Sequence, residues 1–187
     1  MISTPDGVID VNGRSGALGG PADQARLLAL RDRAGVVLVG AGTVRAEQYR
    51  APSRKDLKIA VVTRSCDLDF TTSLFTSGAG IVATTTHAPA VPVTSIRAGG
   101  NEIDFAGIIH QLPSGIVHVE GGPSLNGALL RADLVAAINL TFSPHVGGYR
   151  GPSFTSAPEV FRQFTMTSME TRDSFVFARY ERATTTA

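Results

Sequence analysis

The hydrophobic pattern of this chain consists of short, unbroken apolar runs separated by glycine, proline and hydroxyl residues. The strongest run is Val36-Val37-Leu38-Val39, followed by Gly40-Ala41-Gly42. Apolar residues without polar alternation predict a strand buried on both faces. The glycines after it allow a tight turn and close approach of backbone to a ligand. Thr43 to Gln48 then starts a helix, so the stretch predicts a strand, a turn and a helix N-terminus, where free N–H groups favour an anion.

Further elements follow from the same pattern. Met1 to Thr4 is the end of a strand, broken at Pro5-Asp6-Gly7, and Val8 to Gly20 is expected to be a mobile surface loop. Pro21 opens a helix with an apolar stripe at Leu27, Leu30 and Ala34, widened by Leu28 and stopped by Gly35. Arg50 to Asp56 is a loop around Pro52. Strands are predicted at Leu57 to Val62, Ile81 to Ala83 and Ile116 to Val119, with an edge strand at Val91 to Ile96. Helices are predicted at Ile103 to Leu112, before Pro113, and at Leu125 to Ala132.

The last third changes character. Val135 to Phe142, Gln163 to Met169 and Phe175 to Tyr180 read as strands, the last covered on both faces, with Thr171 to Ser174 as a hairpin connection. The expected fold is α/β: a mixed, mostly parallel central sheet with helices on both faces and a C-terminal antiparallel ribbon, in one domain over residues 1–187.

Composition narrows the function. The formal net charge of +1 gives no global attraction to nucleic acid or membrane, and no apolar run is long enough to span a bilayer. Cys66 is the single cysteine and the four histidines lack metal-ligand spacing, so neither a disulfide nor a metal site is expected and a reducing, cytoplasmic setting is the default.

The second glycine stretch, Glu120-Gly121-Gly122-Pro123-Ser124-Leu125, repeats the logic of the first. Glu120 ends a strand expected to be buried, Pro123 suits the first helical position, and the amides of Ser124 and Leu125 point outward. Two such turns suit the pyrophosphate of a dinucleotide. A carboxylate at a buried strand end is costly unless it has a role, which makes Glu120 a catalytic candidate beside His118. Thr63-Arg64-Ser65 and Thr84 stand at the ends of two other predicted strands, where an open α/β sheet contacts its ligand. Ser3 and Asp6 form Ser-x-x-Asp-Gly. Ser15, Arg31, Arg50 and Arg54 could hold a phosphorylated substrate.

In order along the chain, Ser3-x-x-Asp6-Gly7, Leu30-Arg31, Val39-Gly40-Ala41-Gly42-Thr43-Val44 with Glu47, Glu120 to Leu125 and Pro144 to Gly148 resemble the reductase domain of riboflavin biosynthesis. The resemblance implies a dihydrofolate-reductase-like fold and an NADPH-dependent reductase, converting the ribosylamino group of a phosphorylated pyrimidine to ribitylamino. It implies that Gly42, Thr43 and Glu47 line the cofactor cleft, that Gly122 to Ala128 wrap the pyrophosphate and nicotinamide side, and that Thr63 to Ser65 hold the adenosine end. An arginine with two hydroxyls and no acid at that strand end favours a 2′-phosphate, hence NADPH over NADH. It also implies that Ser15, Arg31 and Glu120, with Arg54 or Arg50, hold the sugar phosphate, that Asp6 lies near the reacting carbon, and that the protein is a homodimer through its C-terminal strands. No zinc-deaminase signature precedes these motifs, so a stand-alone reductase is expected. A dihydropterin reductase of the same fold and a nucleotide-binding module without turnover are the alternatives.

Overall fold

Apolar runs become parallel strands and the hydroxyl-rich ends become turns. In chain order the elements are β1 (Ile2–Ser3), α1 (Pro21–Asp32), β2 (Ala34–Gly40), α2 (Ala41–Ala46), β3 (Lys58–Val62), α3 (Ser73–Thr76) and β4 (Gly80–Thr84). They continue as β5 (Ser95–Arg97), α4 (Phe105–Gln111), β6 (Ile116–Val119), α5 (Pro123–Arg131), β7 (Ala137–Phe142), β8 (Phe164–Arg172) and β9 (Phe175–Arg182). This computed structural model describes residues 1–148, 151–156 and 161–183. Its contacts divide the chain into two units, Met1–Leu27 with Asn126–Ala187, and Leu28–Leu125.

The Leu28–Leu125 unit is a five-stranded parallel sheet in the order β5-β4-β3-β2-β6. Val36 to Val39 are 0% exposed, as a strand flanked by two others and covered above and below requires. Val37, Val39, Leu57, Ile59, Val61, Leu74 and Val82 share one core. Each fully buried aliphatic side chain contributes about 1.5–3 kcal/mol. Parallel order brings the carboxyl ends of β2, β3, β4 and β6 to one edge, where open sheets place ligands. β6 is an outer strand of this sheet and only half-buried, with Ile116 56% exposed, so Glu120 does not follow a fully buried strand.

Several boundaries differ from the sequence pattern. Gly35 does not stop α1; it lies inside β2, where an added Cβ would stand 2.4 Å from the Ser114 carbonyl oxygen. Ala34 belongs to β2, and Ala22 is the buried residue of α1, while Leu28 is 43% exposed. Helix α2 begins at Ala41, two residues before Thr43. The outer strand is β5 at Ser95–Arg97, displaced toward the end of the expected Val91 to Ile96. The hydrophobic pattern carries no sign of α3, a single turn that inserts Leu74 and Phe75 into the core.

The other unit is a mixed four-stranded sheet, β1-β7-β9-β8, parallel at β1–β7 and antiparallel elsewhere. Asp173 and Ser174 take φ of 53° and 66°, the left-handed pair that suits a two-residue hairpin turn. Phe175, Phe177 and Ala178 of β9 are buried, and the rest of the strand is less so. Val8 to Gly20 is not simply a surface loop: Val8, Ile9 and Leu18 are buried, and Leu18 shares a core with Ile2, Ala22, Phe175 and Phe177. Thr4 anchors it, with Oγ1 accepting the Val8 N–H at 2.9 Å.

Two glycines in one unit should respond oppositely to a methyl group. Gly35→Ala must displace the Ser114 backbone and is expected to lose about 1–3 kcal/mol of stability. Gly42→Ala, with nothing within 4 Å of its Cβ position, should be neutral or gain up to about 1 kcal/mol. Urea unfolding midpoints of the two variants check this.

Candidate functional site

Because β2 and β6 pair in parallel with Leu38 opposite Val119, the two glycine turns emerge level and side by side. Gly40 N–H donates to Gly121 O at 2.7 Å. Gly121 has φ +79°, a conformation that glycine adopts without strain, and the Gly121–Gly122 peptide is cis. A Cβ on Gly122 would stand 2.9 Å from Thr43 Oγ1, so the turns close on each other with no space for a side chain there. Pro123 opens α5, whose first-turn amides lack intrahelical partners. Ser124 is exposed and Leu125 buried. Glu47, half-buried, ends α2, its N–H on Thr43 O at 2.9 Å.

Glu120 follows β6 directly. Its side chain is 6% exposed and accepts two hydrogen bonds from Arg31, Nε to Oε1 at 2.6 Å and Nη2 to Oε2 at 2.7 Å. The Tyr49 hydroxyl donates to Oε2 as well. Burial raises the Glu120 pKa, but the Arg31 and Tyr49 hydrogen bonds and the Arg31 charge outweigh it and hold the carboxyl below its ordinary value. His118 Nε2 lies 3.5 Å from Oε1, and burial pushes the imidazole below its usual value, so it is neutral at neutral pH. Arg31 is held more strongly protonated by Glu120. The cluster is therefore an ionised pair with a phenol and a neutral imidazole beside it.

The other candidate residues divide. Arg54 caps α1: Nη1 donates to Arg31 O at 3.0 Å and Asp32 O at 2.7 Å, Nη2 to Ala34 O, and Nε pairs with Asp56. Its fork is thus committed to the helix end rather than open to a phosphate. Arg50 is exposed. Thr84 is 0% exposed and accepts a contact from Cys66 Sγ, so its hydroxyl faces the core and not a ligand. Thr63 is buried too, its Oγ1 accepting the Cys66 N–H at 3.1 Å. Arg64 and Ser65 are exposed, Arg64 pairing with Glu102 at 3.2 Å.

In the Met1–Leu27 and Asn126–Ala187 unit, Ser3 is buried with Oγ donating to Thr4 O at 2.9 Å, and Ser15 is half-buried. The Asp6 carboxylate accepts the N–H groups of Gly147 at 3.1 Å and Gly148 at 2.8 Å. The structure thus joins two separate sequence motifs, Asp6-Gly7 and Pro144 to Gly148. Hydrogen bonds from Thr4 and these amides lower the Asp6 pKa to about 2. Tyr49 is the residue that the sequence did not single out; a tyrosine after a short helix carries no motif, and only the fold brings it to Glu120.

Residues 1–177 match the RibD C-terminal domain. The chain belongs to that family. This RibD C-terminal domain is similar to a pyrimidine reductase-like protein of Corynebacterium diphtheriae, with TM-score 0.80 and 22% identity over 98% of this chain and 90% of the other. It is similar to the riboflavin biosynthesis reductase Rib7 of Saccharomyces cerevisiae, with TM-score 0.72 and 20% identity over 97% and 87% of the two chains. Dihydrofolate reductase of Enterococcus faecalis, solved with NADP(H), gives TM-score 0.61 and 14% identity over 97% and 92%. The fold is therefore dihydrofolate-reductase-like. Three further structures are longer, and the RibD C-terminal domain spans only 55% or 56% of them. No protein of curated function matches. Among the described residues no helix is long and apolar enough to cross a membrane, and no cluster of three His, Cys, Asp or Glu could hold a metal ion.

The lowered pKa values set the direction of the stability profile. His118 binds its proton less readily folded than unfolded, so stability should begin to fall as pH drops below about 6.5. Glu120 and Asp6 are also depressed, so their contributions are complete above the unfolded carboxylate range and are lost as pH falls through the folded values. Denaturant midpoints measured from pH 8 to pH 3 should show both phases. His118→Gln is expected to remove the upper phase only.

Proposed function

We propose that the protein is an NADPH-dependent reductase that converts the ribosylamino group of a phosphorylated pyrimidine, of the 5-amino-6-(5-phosphoribosylamino)uracil type, to ribitylamino. The observation that carries this is the Gly40 N–H bond to Gly121 O, which joins the two glycine turns beside an ionised Glu120. Membership of the RibD C-terminal domain family over residues 1–177, which runs through both units, supports one reductase domain. The residues fit a dinucleotide: the turns form a cradle without side chains at Gly40, Gly42, Gly121 and Gly122, and α5 offers free amides behind Pro123.

On this reading Gly40, Gly42, Thr43, Glu47 and Gly121 to Leu125 hold the pyrophosphate and nicotinamide side. The exposed Arg64 and Ser65, rather than the hydroxyls of Thr63 and Thr84, meet the adenosine end and its 2′-phosphate. NADPH supplies the hydride. Asp6 and Glu120, both ionised at neutral pH, counter the positive charge of the protonated imine and are not proton donors. Ser3, Ser15, Arg31 and Arg50 bind the substrate. Arg31 keeps Nη1 beyond its fork on Glu120, and Arg50, with no hydrogen bond or ion pair among the described residues, is the arginine best able to take the phosphate.

A dihydropterin reductase needs a lone buried acid. Glu120 is buried but paired with Arg31, which favours the sugar phosphate. Assembly as a homodimer through the C-terminal strands is supported by β8, an outer strand of its sheet with Met166 and Met169 exposed. A cytoplasmic location is supported by a single, buried, free cysteine.

NADPH oxidation is expected with the ribosylaminopyrimidine phosphate and absent with dihydrofolate. NADPH binding without oxidation would leave the non-catalytic module. Arg50→Ala should raise KM for the phosphorylated substrate about tenfold, the effect of losing one charge-assisted contact, and leave the Kd for NADPH unchanged. Equal loss of both would remove Arg50 from the phosphate.

A further inference from the structure

Tyr49 lies outside both glycine turns, yet the fold directs it at Glu120. Helix α2 ends at Ala46, and Gln48 takes a left-handed φ of 52° that turns the chain back. Tyr49 N–H then bonds to Val44 O at 3.1 Å, and the ring packs on the core of its unit. From that position the phenol donates to Glu120 Oε2, while the Arg31 guanidinium carbon stands 5.5 Å from the ring centroid. The carboxylate receives Arg31 Nε on Oε1, and Arg31 Nη2 together with Tyr49 on Oε2.

We propose that Tyr49 is a positioning residue acting through Glu120: its hydroxyl fixes the rotation of the carboxylate beside the Gly121–Gly122 turn and keeps it an anion. This rests on the reading of Glu120 as the charge that counters the protonated imine. Among the described residues three titratable groups face Glu120: Arg31 from α1, Tyr49 from the segment after α2, and His118 from β6. Burial, and then the Glu120 charge, push the Tyr49 phenol above its ordinary value, so it keeps its proton and meets the carboxylate as a donor. A permanent donor on Oε2 opposes proton uptake there. Tyr49→Phe removes that donor, and with it the hydroxyl oxygen near Arg31, while the aromatic ring and the Arg31 fork on Glu120 are retained.

The test compares wild type with Tyr49→Phe, both carrying glutamate labelled with 13C at the side-chain carboxyl, with Glu120 assigned from Glu120→Gln. The Glu120 titration midpoint, read by NMR, is expected to rise by about half a pH unit or more in Tyr49→Phe. The acid limb of kcat/KM for NADPH oxidation with the ribosylaminopyrimidine phosphate should move up by the same amount. kcat should fall about tenfold while KM for NADPH stays within about twofold, the split expected when an interaction serves the transition state. Replacing the 3 tyrosines by 3-fluorotyrosine, a stronger donor of nearly the same shape, should move the midpoint down. It decides the matter if Tyr49→Phe does not fold. An unmoved Glu120 midpoint overturns the proposal, whether or not the protein turns over substrate. A moved midpoint in a protein that does not oxidise NADPH leaves the positioning role standing and removes the reductase.

Discussion

The parallel pairing of β2 with β6 is the constraint on which the candidate site depends. Val36 to Val39 are sealed from water, so β2 cannot slide without exposing a fully apolar strand. Its ladder to β6 continues past the strand end, with Glu120 N–H on Leu38 O at 2.9 Å and then Gly40 N–H on Gly121 O. The backbone therefore fixes Glu120 and both glycine turns in one frame before any side chain contributes. At such a junction a Cβ on Gly122 would meet Thr43 Oγ1, which is why the sequence there is glycine.

Holding Glu120 so deep creates an electrostatic demand. A buried carboxylate without a partner is costly, and removing one member of a buried pair typically costs about 3–5 kcal/mol. Arg31 meets the demand from the last turn of α1, and that turn is itself held by Arg54, whose guanidinium closes the carbonyls of Arg31, Asp32 and Ala34. A cation at a helix C-terminus also complements the dipole. One arginine supports the helix end and the next neutralises the acid. The two have different functions although both looked alike as substrate ligands.

Legibility in the sequence follows from how local each cause is. The parallel strands β2, β3 and β4 stood out because strands covered on both faces must be apolar throughout. Pro123 marked the start of α5 for the equally local reason that it lacks an N–H. Gly35 misled because glycine serves both to end helices and to admit a neighbouring backbone, and the Ser114 carbonyl that decides between them is distant in sequence. The single turn α3 is too short to show a period. Arg54 and Tyr49 acquire their partners only through tertiary structure. The burial of Leu18 in a glycine-rich stretch likewise depends on Phe175 and Phe177, more than 150 residues away.

The protonation states narrow what chemistry the proposed reductase can perform. Asp6 is held near 2 by hydrogen bonds from Thr4, Gly148 and Gly147, and Glu120 is held below its ordinary value by Arg31 and Tyr49. Neither carries a proton to give at neutral pH. Hydride addition to an imine is favoured when the nitrogen is already protonated, because the acceptor carbon is then more electrophilic. Fixed anions stabilise that cation without reorganising at the moment of reaction. They also raise the affinity of the nitrogen for its proton, so the imine can draw it from water. On the proposed reading, an ionised carboxylate favours the cationic form of the substrate, and for Glu120 the hydrogen bonds from Arg31 and Tyr49 are what keep it ionised.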